Sequence, residues 1–263
     1  MLPENVRMGL NGETIKCHLV GNSVGGHLAT IIASERPDLV RSISLLNATP
    51  VWGLGLPGWN AQLPPPVFPR AIGRFLFDQI RDYDTINLYL AQAYSQRGAF
   101  DDDLVSKIRS CTEGQGGHAA FASIVWSSPS SALQRDGSFS SLLRRVSCDV
   151  LLLFGDDDDW CKPAYAKHMM KVLEERDLKV PTGSTQRYFA LTNTGHCPNH
   201  EAPQAVAHAL SKWFLAEDRG KDHLFIIDGE TAFNEEWANI DMREVENFDD
   251  LTLSDKLMVK MLA

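Results

Sequence analysis

Apolar positions along this chain follow two rhythms. Ile15-Lys16-Cys17-His18-Leu19-Val20 is a short β-type run, and from Val24 the spacing turns helical, with Val24, Leu28, Ile31 and Ile32 one to two turns apart. Glu35-Arg36-Pro37-Asp38 ends that helix, because the residue before a proline is driven out of the helical region. Arg41–Leu46 then reads as a short buried strand. Asn47 to Pro69 is rich in turn residues, tryptophan and proline, with Pro64-Pro65-Pro66 inside it, so no long regular element fits there. Residues 70–126 read as several helical pieces, broken near Arg97-Gly98 and at Gly114-Gln115-Gly116-Gly117. The continuous apolar run Asp149-Val150-Leu151-Leu152-Leu153-Phe154 suits a parallel strand covered on both faces. A helix over Pro163–Glu175, a strand over Arg187–Leu191 and a last helix carrying Val206, Leu210, Trp213 and Phe214 follow. Beyond Arg219 the pattern dissolves, leaving one β-like patch, Leu224-Phe225-Ile226-Ile227.

Strands alternating with helices predict an α/β chain with a mostly parallel sheet. The expected core is residues 1–49 and 147–216, with an inserted helical lid at 50–146 and an acidic tail at 217–263. Composition refines this picture in three places. The net charge of −9 is concentrated at the end, with 13 acidic and 5 basic residues from Glu217 onward, so the body is near neutral. Nothing is basic enough to hold a phosphate backbone, which excludes nucleic-acid binding. The five cysteines, Cys17, Cys111, Cys148, Cys161 and Cys197, lack pairwise metal-site spacing and suit a reduced compartment. No apolar stretch is long enough for a transmembrane helix, and Met-Leu-Pro-Glu-Asn-Val-Arg is neither a secretory signal nor a transit peptide.

Chemistry concentrates at three strand ends. Gly21-Asn22-Ser23-Val24-Gly25-Gly26 joins a strand to a helix, the context of a nucleophile elbow. The flanking glycines are expected to leave room for a sharp turn around Ser23, because a Cβ there would strike the strand or the helix. A serine hydroxyl needs a histidine to take its proton and a carboxylate to orient that histidine. The strand ending at Phe154-Gly155 runs into Asp156-Asp157-Asp158-Asp159-Trp160, and the one ending at Leu191 runs into Asn193-Thr194-Gly195-His196. Serine, acid and histidine thus stand in the order of an α/β-hydrolase fold, on loops that converge at one sheet edge. The acid is one of four aspartates by this reading. No metal is expected at that run, because no histidine or second acidic cluster stands at ligand spacing. His118, His168, His200 and His208 read as surface or packing groups. Trp52, Trp59 and Trp126 read as lid core or as the walls of an apolar pocket.

The elbow, Leu45-Leu46-Asn47-Ala48-Thr49-Pro50-Val51-Trp52-Gly53, Ala120-Phe121-Ala122-Ser123-Ile124, Gly155-x-x-Asp158-x-Trp160 and Gly195-His196-Cys197-Pro198 resemble the pheophytinase-type α/β-hydrolases over residues 15–216. These are plastid serine esterases of plants and algae that remove phytol from pheophytin. The resemblance implies Ser23 as nucleophile, His196 as base and Asp158 as the acid, with Asp157 as fallback. It further implies the Val24 N–H as an oxyanion donor, and Asn22, Trp52 and Trp160 at the substrate. It implies no cofactor, a phytylated tetrapyrrole as substrate, peripheral contact with the thylakoid membrane, no protein partner and a chloroplast location. A lipase or acyltransferase acting on another long-chain ester, or a non-catalytic remnant, are the alternatives. Val24 and Asp159 depart from the family's usual leucine and proline. The family's early strands, and the loop giving a second oxyanion donor, have no counterpart before Cys17. The expectation is therefore a partial sheet with an exposed apolar edge, poor solubility, and no activity toward pheophytin for residues 1–263 alone.

Overall fold

The computed structural model describes residues 15–51, 53, 58–127, 138–176, 184–219 and 230–260. Strands β1 (Cys17–Asn22), β2 (Val40–Leu46), β3 (Asp149–Gly155) and β4 (Gln186–Leu191) pair in parallel, in that order. Helix α1 (Val24–Glu35) crosses from β1 to β2. Helices α2 (Val67–Ile80), α3 (Tyr83–Ala93), α4 (Asp102–Cys111), α5 (Gly117–Trp126) and the short α6 (Phe139–Arg144) lie between β2 and β3, where the lid was expected. Side-chain caps start three of them, with Asp82, Asp101 and Ser138 accepting backbone N–H groups of the first turns. Gly73 of α2 lies against Ala122 of α5, which lets these two helices approach closely. After β3 come α7 (Pro163–Glu174), β4, the one-turn α8 (Pro198–Glu201) and α9 (Pro203–Arg219).

β3 explains why a continuous apolar run is needed at the centre of the sheet. Val150, Leu152 and Phe154 join the core under α1, α6 and α7, while Leu151 and Leu153 join the core under α9. Both faces are covered, so the alternation that marks a half-exposed strand disappears. In α9, Val206 and Trp213 are buried with Leu210 and Phe214 packed beside them, as their spacing predicts.

Helix α1 forms where its spacing places it. In α1 the apolar stripe is not the buried face: Val24, Leu28 and Ile32 are 48%, 44% and 43% exposed, and Ile31 alone of the four packs on the core. The buried face is instead Gly26, His27, Ala29, Thr30, Ala33 and Ser34, mostly small residues that let the helix lie close to the sheet. β1 is the edge of the described sheet, and its Val20 is also exposed, so an apolar margin runs from β1 onto α1.

One expectation is corrected, that of the acidic tail, which is not a patternless appendage. Strands β5 (Glu230–Asn234) and β6 (Asn239–Glu244) form a hairpin, and β6 pairs antiparallel with β4. In Asn-Ile-Asp-Met-Arg-Glu the apolar residues alternate, and Ile240 and Met242 are fully buried while the charges face out. Those charges meet opposite charges of the body, Glu244 with Arg187 and Arg243 with Asp156. Helix α10 (Leu253–Lys260) then returns to α7, placing Val259 in the interior, and Lys167 and Lys171 pair with Asp250 and Asp249 ahead of it. The patch Leu224–Ile227 lies outside the described residues, as does Trp52.

Candidate active site

Ser23 sits between β1 and α1 at φ 53°, ψ −119°, a region that L-residues rarely occupy. Several backbone bonds hold it there. Its N–H donates to the Leu46 carbonyl at 3.0 Å, and its carbonyl accepts from Gly26 at 3.0 Å and Thr49 at 3.2 Å. The glycines contribute unequally. A Cβ on Gly21 would run into the backbone of Gly25 and Gly26, and one on Gly26 would strike Ala48, whereas Gly25 faces open space. The tight approach is therefore made by Gly21 and Gly26, not by both glycines of the G-x-S-x-G pattern. Val24 is the first residue of α1, where N–H groups have no intrahelical partner and the helix dipole favours negative charge.

The loop after β3 separates its four aspartates. Asp158 is buried, and its Oδ2 lies 2.8 Å from Nδ1 of His196. Asp156 faces Arg243, Asp157 accepts from the Ser95 hydroxyl at 2.7 Å, and Asp159 is exposed. Asp158 Oδ1 accepts the backbone N–H groups of Trp160 at 2.7 Å and Cys161 at 3.0 Å. Burial works against the charge on Asp158, but the bonds from His196 and these two amides outweigh it and hold the carboxyl below its usual range. Asn22 donates from Nδ2 to the His196 carbonyl at 2.8 Å, which ties the residue before the serine to the histidine loop. The Trp160 ring lies 5.0 Å from the His196 ring and edge-on to Tyr89 at 6.3 Å, and it is exposed at the mouth of this group. Asp158, Cys161 and His196 are also close enough to share a metal ion. The donor set suits hydrogen bonding better: burial pushes the Cys161 thiol up to about 12, and both Asp158 oxygens already accept donors.

Sequence reasoning missed two groups beneath this site. Asn47 ends β2 fully buried, with φ 38°, a value asparagine tolerates better than most residues. Its Nδ2 donates to Asp158 Oδ2 at 2.7 Å, and its Oδ1 accepts the Gly155 N–H at 2.9 Å. His27, buried in α1, bonds to the Thr49 carbonyl through Nδ1 at 2.9 Å and packs on Phe139. The available signal was position: an asparagine at the carboxyl end of a central strand stands where ligand crevices form. Asn47→Gly keeps the left-handed backbone accessible while deleting both side-chain bonds. It should lower the melting temperature, since an unsatisfied buried group costs about 1–3 kcal/mol. It should also slow fluorophosphonate labelling of Ser23 by about 10- to 100-fold through a displaced Asp158. Wild-type melting and labelling would remove Asn47 from the site. Of the histidines expected at the surface or in packing, His168 bonds to the Ser140 hydroxyl at 2.9 Å, and His200 and His208 stack edge-on against Tyr94 and Phe233.

The model of the alpha/beta hydrolase family matches residues 6–209. A chloroplastic pheophytinase of Arabidopsis thaliana is 28% identical over 231 residues, covering 80% of this chain and 43% of that protein. The chain thus spans less than half the length of that curated relative. Among solved structures, a meta-cleavage product hydrolase of Pseudomonas fluorescens aligns at TM-score 0.53 and 15% identity, covering 76% of this chain and 65% of that one. A 2-hydroxy-6-oxo-6-phenylhexa-2,4-dienoate hydrolase of Rhodococcus aligns at TM-score 0.54 and 17% identity, covering 76% and 64%. At these identities the structural likeness speaks for the fold.

Proposed function

Because this chain belongs to the alpha/beta hydrolase family, we propose that it is a serine carboxylic-ester hydrolase whose substrate is a phytylated chlorophyll derivative such as pheophytin. The observation that carries the reading is the 2.8 Å contact between Asp158 and His196, on loops beside the strained elbow at Ser23. In the proposed reaction His196 takes the Ser23 proton as Oγ bonds to the ester carbonyl carbon. The Val24 N–H faces the oxyanion, and Asp158 stabilises the charged imidazole. Collapse breaks the bond to the alcohol, which leaves with the proton held by His196. Water, deprotonated by His196, then releases the acid from Ser23.

The choice of ester rests on the likeness to the Arabidopsis pheophytinase and on the aromatic surroundings of the site. Trp160 lies against the His196 ring and Tyr89 lies edge-on to Trp160. Aromatic faces beside the histidine suit a large apolar substrate. The same likeness supports a plastid location. The test is turnover of pheophytin against a p-nitrophenyl ester of a long-chain fatty acid, using the chain joined to its natural upstream sequence where one exists. Pheophytin should be preferred by at least about tenfold in kcat/KM. Preference for the fatty ester would make the enzyme a lipase or acyltransferase, and absence of both activities would leave a non-catalytic hydrolase.

A further inference from the structure

Among the described residues two acids are buried, Asp158 and Glu201, and the reaction above uses only the first. Glu201 closes the one-turn α8, five residues after His196, and is fully buried. Among the described residues no cation pairs with it, and its carboxylate accepts from backbone amides. Oε2 accepts the N–H of Ser95 at 2.7 Å and of Gln96 at 3.4 Å, from the segment that leaves α3 of the lid. Oε1 accepts the N–H of Gly195 at 2.9 Å. The same two segments also meet directly, the His196 N–H donating to the Ala93 carbonyl at 2.7 Å. Gly195 has no room for a side chain, because a Cβ would strike the Ala93 carbonyl and the Ser95 N–H. A third segment joins through Trp237 of the β5–β6 turn, whose Nε1 donates to the Glu201 carbonyl at 2.8 Å.

We propose that Glu201 is a positioning residue for the hydrolysis assigned to Ser23, Asp158 and His196: its carboxylate ties lid segment Ser95–Gln96 to Gly195 and thereby fixes where His196 presents its ring. The inference rests on that catalytic reading for its effect on rate, and on the hydrogen bonds alone for the clamp. The chemistry explains why the residue is an acid. Three N–H donors converge on one buried point, and only a group that accepts on both oxygens satisfies them all. Glutamine has nearly the same volume but must turn an NH₂ toward one of these donors. Lid and histidine loop then separate, and an error of about 1 Å in His196 is enough to cost about 100-fold in rate.

The experiment compares wild type, Glu201→Gln and Glu201→Asp by three readings. The first is the second-order rate of fluorophosphonate labelling of Ser23. The second is the downfield proton resonance of the His196 Nδ1–H bonded to Asp158. The third is hydrogen exchange at the Ser95 and Gly195 amides. Glu201→Gln should label about 100-fold more slowly, lose or broaden the His196 resonance, and exchange both amides faster, while Glu201→Asp should fall between it and wild type. A folded Glu201→Gln protein with wild-type labelling and an unchanged resonance would overturn the proposal. Should the variants fail to fold, wild type decides: the two amides should exchange slowly and at a common rate, and rates more than tenfold apart would overturn the clamp. A wild type that never labels at Ser23 refutes the hydrolase reading instead, while the resonance and the exchange rates still judge the clamp.

Discussion

Ser23→Ala should give a folded protein that neither turns over an ester nor takes a fluorophosphonate. The substitution removes a single oxygen, and the backbone bonds from Ser23 to Leu46, Gly26 and Thr49 are made without it. Alanine tolerates the turn's φ of 53° no worse than serine, so melting should move by less than about 1 kcal/mol. The chemical loss is far larger. Without Oγ no covalent intermediate forms, and oxyanion binding alone leaves a small residue of catalysis, so turnover should fall by at least about 10⁴-fold. Retained hydrolysis in this variant would move the nucleophile elsewhere.

The second large effect belongs to Asp158. Asp158→Asn should cut turnover by about 10³- to 10⁴-fold, because His196 loses the carboxylate that sets its tautomer and steadies its charged form. The structure sharpens this expectation. Oδ2 of Asp158 accepts from both Asn47 and His196, so an amide there must turn a donor against a donor or abandon one of them. Asp156→Asn and Asp159→Asn should change turnover by less than a few-fold, since one faces Arg243 at the surface and the other is exposed. A pH signature accompanies the loss. The Asp158 carboxyl titrates lower in the folded protein than in the unfolded chain. Its stabilisation is therefore fully present above the usual carboxylate range, about pH 4, and is lost as pH falls through the lower native value. Thermal melts from pH 6 to pH 2.5 should show that acid limb in wild type and a shallower one in Asp158→Asn. If Asp157→Asn proved the sensitive variant, the acid would stand one residue earlier.

How far the sequence reaches differs from element to element. β3 was legible because burial on both faces demands an unbroken apolar run, and β2, β4, α7 and α9 were legible from period and punctuation. The order of serine, acid and histidine at three strand ends was legible for the same reason, since a parallel sheet sends those ends to one edge. α1 misled. Its large apolar residues marked a face by spacing, but close packing against the sheet selected the small ones, Gly26, Ala29 and Ala33. β5 and β6 were hidden by charge, as alternating Ile240 and Met242 are too few to stand out among charged neighbours that pair with the body. Within the site, Asn47 and Glu201 act through hydrogen bonds to groups 111 and 106 residues away, and no local pattern announces a contact of that range. Among the four aspartates, neighbours differ by one position yet face Arg243, Ser95 and His196, so register alone could not choose between them without the family's spacing.

The measurement that reaches the central claim most directly is the mapping of a fluorophosphonate adduct by peptide mass spectrometry on the folded chain, joined to its natural upstream sequence where one exists. The account predicts one adduct, on the peptide containing Ser23, formed in wild type and absent from Ser23→Ala, with labelling slowed sharply in Asp158→Asn. An adduct on another residue, or equal labelling of wild type and Ser23→Ala, would contradict it.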